Sequence, residues 1–159
     1  MITLQEIAPY LPCKLYVYDE NQQNKTDQVV GFFLGSLDFE NWSPINSDIG
    51  NYKPIMRPLS DLTNEIEVNG EKFVPIVELA KIAFPLYKWI LNEECNFAMT
   101  KEDVYFDFNY HYYLFDFDGD YLLDQLKLFQ KLYEWHFWLG DQERFGKDII
   151  NINSLKQGI

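Results

Sequence analysis

Basic residues are scarce in this 159-residue sequence. Thirteen lysines and arginines face 25 aspartates and glutamates, a formal net charge of −12. A general duplex DNA or RNA binder displaces phosphate counterions with Lys and Arg, so direct duplex binding is not expected. The same shortage argues against electrostatic attachment to an anionic membrane surface. No apolar run approaches the ~18 residues of a membrane-spanning helix. Met1-Ile-Thr-Leu-Gln-Glu6 has neither a basic n-region nor a long apolar h-region, so no signal peptide is expected. Cysteine is rare too. Cys13 and Cys95 form no CxxC and no metal-type spacing with the two histidines, His111 and His136. Two reduced thiols in a cytosolic protein are the expected state. Low-complexity tracts, Pro/Gly/Ser linkers and internal repeats are missing, which favours a single domain over 1–159.

Apolar and aromatic residues are plentiful instead. Hydrophobic residues make up 47% and aromatics 18%, with 13 Phe, 11 Tyr and 4 Trp. That is too apolar for disorder despite the charge. A domain of this length buries roughly 70% of its unfolded surface.

Local patterns predict mixed elements. Thr3-Leu-Gln-Glu6 is a capping-box pattern that starts a short helix, with Pro9 and Pro12 ending it. Residues 13–18 favour a strand, 19–27 a turn or hairpin loop, and 28–39 a second strand with a bulge at its glycines. Residues 40–51 read as loop. Asn69-Gly70 between alternating residues is the favoured type I′ hairpin turn. Pro75 suits the first turn of a helix over 76–84, which Pro85 ends or kinks, with 86–91 as its continuation. Residues 104–117 hold eight aromatics and read as a strand with a bulge, or as a hairpin turning near Asn109. Asp118 or Asp120 caps a helix over 121–139. Its stripes are Leu122, Leu126, Phe129, Tyr133 and Phe137, then Leu128, Leu132, Trp135 and Leu139. Gly140 is its natural stop. Residues 148–153 suit a last edge strand. The fold class is α+β, a single domain in which an antiparallel sheet with the Asn-Gly hairpin packs against two main helices.

Motifs for chemistry are few. Asp116-Phe-Asp118-Gly-Asp120 has the carboxylate spacing of part of a cation loop, but the twelfth position from Asp116 is Lys127 where an EF-hand needs Glu. A turn and helix cap is the simpler reading, and no metal is assigned. His136 has only Glu134 near it in sequence, and residues two apart do not share a helical face. A pairing of Cys13 or Cys95 with a histidine stays open, though nothing marks either thiol as activated. G-x-S-x-G, HExxH, the P-loop and GxGxxG are all lacking. No enzyme activity and no cofactor are expected.

Charge distribution says more. Residues 93–124 carry nine carboxylates against Lys101 alone, a net −8 in 32 positions interleaved with aromatics. One reading is a solvated acidic face over an aromatic core. The other is a contact surface for a basic protein, in which carboxylates occupy an Arg/Lys groove and aromatics serve as anchors. The candidate contact residues are Asp107, Asp116, Asp118, Asp120 and Asp124, with Tyr113 and Phe117 as anchors. The alternative is an accessory or structural protein without inhibitory activity that assembles with copies of itself, for instance as a homodimer built on the apolar helix and the aromatics.

Three blocks carry a resemblance. They are Ile7-Ala-Pro-Tyr-Leu-Pro-Cys-Lys-Leu-Tyr-Val17, the stretch from Tyr52 to Ile76 that includes Met-Arg-Pro-Leu-Ser-Asp-Leu and Val-Asn-Gly-Glu-Lys-Phe, and Phe129-Gln-Lys-Leu-Tyr-Glu-Trp-His-Phe137 with the tail Asp148–Leu155. Together they cover roughly a third of the chain. They resemble a family of small phage and prophage proteins of Bacteroidetes-type bacteria, which supplies no catalytic residues to carry over. The resemblance implies a cytoplasmic protein of the bacterial host cell that inhibits host machinery. Anti-CRISPR proteins are the class it suggests, with a type VI RNA-guided RNA nuclease, or its RNA complex, as the preferred partner through host association. The implied mechanism is occlusion or misdirection of a basic guide- or target-binding surface.

Overall fold

In a computed structural model of the chain, the structure describes residues 2–19, 25–33, 36–39, 52–91, 98–99, 105–106, 113–116, 119–122 and 125–155. The expected loop at 40–51 lies outside them. Thr3 precedes the first helix, α1 (Leu4–Ile7). Its N–H and its hydroxyl both donate to Glu6 Oε2, at 2.7 and 2.9 Å. Half of the capping box therefore forms: Glu6 reaches back, but the Thr3 hydroxyl donates to that carboxylate instead of accepting from the Glu6 N–H. Pro9 and Pro12 do not end the helical path. Ala8–Cys13 continues as a 3-10 helix through both. Proline breaks the i→i−4 ladder, and the tighter turn carries what remains.

The strands follow as β1 (Tyr16–Asp19), β2 (Lys25–Phe33), β3 (Ser36–Phe39) and β4 (Tyr52–Met56). A 3-10 turn at Leu59–Thr63 leads to β5 (Ile66–Val68), β6 (Glu71–Phe73) and helix α2 (Pro75–Ala83). Five short strands come next: β7 (Ile90–Leu91), β8 (Ala98–Met99), β9 (Tyr105–Phe106), β10 (Tyr113–Asp116) and β11 (Gly119–Leu122). Helix α3 (Gln125–Glu134), β12 (Ile150–Asn151) and α4 (Ile152–Leu155) complete the order. The fold is α+β. The chain divides into two compact units, Met1–Leu59 with Tyr133–Ile159, and Ser60–Leu132.

The first unit holds a sheet in the order β12-β4-β1-β2-β3. It is mixed where an antiparallel sheet was expected, because β12 runs parallel to β4 through Ile150↔Ile55 and Asn151↔Met56. A parallel pair needs a long crossover, and all of Ser60–Leu132 lies between these strands in sequence. The apolar stretch 28–39 forms two antiparallel strands rather than one, with a register shift between Val29 and Gly31. A glycine there lets the strand bend without a packed side chain. The core joins Ile2, Ile7, Tyr10 and Leu15 to Val17, Val29, Tyr52, Met56, Trp138 and Ile149. Each apolar side chain so buried contributes roughly 1.5–3 kcal/mol.

In the second unit, β5 and β6 pair across Asn69 (φ 53) and Gly70 (φ 85), the two positive φ angles of a type I′ turn. This hairpin is a separate two-stranded sheet, not part of a larger one. Pro75 then opens α2, which buries Ile76, Leu79 and Ala80 and ends with the Phe84 N–H on the Ala80 carbonyl at 2.8 Å. The helix does not resume over 86–91. Phe84 precedes Pro85 and leaves the helical region (φ −138, ψ 80), as residues before proline do. Strands β7 to β11 form an antiparallel meander in the order β11-β10-β9-β8-β7. Its aromatic stretch is split: β9 and β10 run antiparallel through Leu114↔Phe106 and Phe115↔Tyr105, so the chain reverses between them.

The long helix expected over 121–139 is shorter at both ends. Its start is taken by β11, and at its end His136 adopts a left-handed φ of 61, ahead of Gly140. Leu128 and Leu132 are buried, whereas Leu126 of the other stripe is 69% exposed. Phe137 and Trp138 are buried without being helical: Phe137 bridges Arg57 in a short parallel contact.

Candidate functional site

The meander positions the acidic, aromatic segment. Its register aligns Ile90, Met99, Tyr105, Phe115 and Asp120 as one cross-strand row. Leu91, Ala98, Phe106, Leu114 and Tyr121 form the row on the opposite face. Strands alternate faces residue by residue, so each row belongs to one side. Helix α2 lies against β7 and β8. Ile90 is 56% exposed while Leu91 is half-buried, so the Ile90 side of β7 faces solvent. Four inter-strand gaps of ~4.8 Å make the row about 19 Å wide.

Of the candidate contact residues, Asp107, Phe117, Asp118 and Asp124 lie outside the described residues, as do His111 and Cys95. Tyr113 and Asp116 sit on β10 and Asp120 on β11. Asp116 opposes Gly119, Asp120 opposes Phe115, and Tyr113 opposes Leu122. Asp116 and Asp120 stand four positions apart in sequence, and the hairpin register assigns them to opposite faces. Tyr113 and Asp120 share the face of Ile90. Composition could not reveal this, because a carboxylate count carries no register. Phe115 and Ile90 were missed as candidates, though Phe115 alternates with Tyr113.

The charge is uneven between units. Residues 60–132 contain six lysines and fourteen carboxylates, a net −8, which leaves −4 for the remainder. A basic partner would be steered to the more acidic unit.

The first unit holds a different constellation, built on the chain just after α3. The His136 carbonyl accepts the Arg57 N–H at 2.8 Å, and the Trp138 N–H donates to the Arg57 carbonyl at 2.9 Å. His136 Nε2 lies 2.8 Å from the Cys13 carbonyl. His136 and Cys13 do meet, then, but through backbone oxygen. Burial holds the imidazole below its ordinary pKa, with the Arg57 charge adding to the effect and the Cys13 carbonyl opposing it. The Tyr10 hydroxyl donates to the Phe137 carbonyl at 2.8 Å and accepts from the Leu139 N–H at 3.3 Å. Its ring meets Tyr133 edge-on and stacks on Trp138. Burial raises its pKa far above the usual phenol value. Arg144 pairs with Glu6 and Asp148 and covers the Trp138 ring. These contacts join the first helical turns to the last third of the chain.

Among the described residues no group of three or more His, Cys, Asp or Glu is placed to hold a metal ion. Among them, too, no helix is long and apolar enough to cross a membrane. In comparisons with known proteins, no family model, no curated protein and no solved structure matches this chain.

Proposed function

We propose that this chain is a non-enzymatic acidic binding protein that blocks the basic surface of a host nucleic-acid-handling protein. The observation that carries the reading is the concentration of charge: −8 falls on residues 60–132, whose meander sets Tyr113 and Asp120 on the same side as the exposed Ile90. Carboxylates spaced across a sheet can replace phosphates in a Lys/Arg groove, and aromatics between them supply contact area. A CRISPR effector offers such a groove. The resemblance to phage and prophage proteins makes a type VI RNA-guided RNA nuclease the target to test.

The experiment is a pull-down of the purified nuclease, with and without guide RNA, at graded salt. Binding should weaken steeply with salt and with Asp120→Lys. Absent binding, or binding indifferent to both, overturns the proposal. The competing reading is self-assembly, favoured by the exposed Leu126 on α3. Light scattering of the chain alone over a concentration series separates the two.

A further inference from the structure

We draw no further inference here: the strongest candidate, the face of the first unit's sheet on which the exposed Tyr16 stands with Tyr18, Thr26 and Lys53, carries nothing because nothing in the structure shows what covers it.

Discussion

His136 Nε2 sits 2.8 Å from the carbonyl oxygen of Cys13, a residue 123 positions earlier in the chain. One imidazole thereby ties the end of α3 to the N-terminal 3-10 helix, while its own carbonyl holds Arg57 beside β4. Burial opposes its protonation, so its pKa in the folded protein lies below the unfolded value. The linkage sign follows: the unfolded chain takes up the proton more readily, so stability is full above about pH 6.5 and falls as pH drops below it. His136→Asn keeps a residue type that tolerates positive φ and removes the titration. Thermal midpoints between pH 7.5 and 5 should fall less for the variant than for the parent. Parallel slopes would refute the assignment.

Tyr10→Phe should cost about 1–3 kcal/mol, because the Phe137 carbonyl and the Leu139 N–H lose their partner in the core. The ring contacts with Tyr133 and Trp138 stay in place. Urea denaturation should give a lower midpoint with an unchanged slope.

Glu6 carries a lowered pKa. Burial works to raise it, and the hydrogen bonds from Thr3 and Arg144 outweigh that. Its stabilising effect is therefore present at neutral pH and lost as pH falls through the carboxylate range. Glu6→Gln should cost only about 0.5–1 kcal/mol, since the pair is partly exposed and screened. The loss should shrink in high salt, and a salt-independent loss would point to packing instead.

Gly70 stands at φ 85 with nothing near where a Cβ would sit. Gly70→Ala should therefore cost about 1 kcal/mol through backbone conformation alone. A loss of several kcal/mol would mean that the hairpin supports more than itself.

Asp116 and Asp120 belong to opposite faces of one hairpin. Asp120→Lys should weaken binding to a basic partner, and Asp116→Lys should leave it near the parental value. Equal effects would mean that overall charge, not the Ile90 face, governs the contact.

Local chemistry made several elements readable in advance. Asn69-Gly70 specifies a two-residue turn because both positions need positive φ. Pro75 and Pro85 bracket α2 because one suits a first turn and the other prevents continuation. The α+β class and the net charge likewise needed no coordinates. Periodicity failed where two elements competed for the same residues. Leu122 fits the apolar stripe of a helix, yet it pairs with Tyr113 in β11. Phe137 fits the same stripe, yet it bridges Arg57 once His136 has turned left-handed. The parallel pairing of β12 with β4 and the separation of Asp116 from Asp120 were likewise invisible. A side chain's preference is encoded within a few residues of it, and the amino-acid order determines it directly. Which strand lies beside which, and hence which face a carboxylate occupies, depends on hydrogen-bond partners distant in sequence, and only the folded chain decides that.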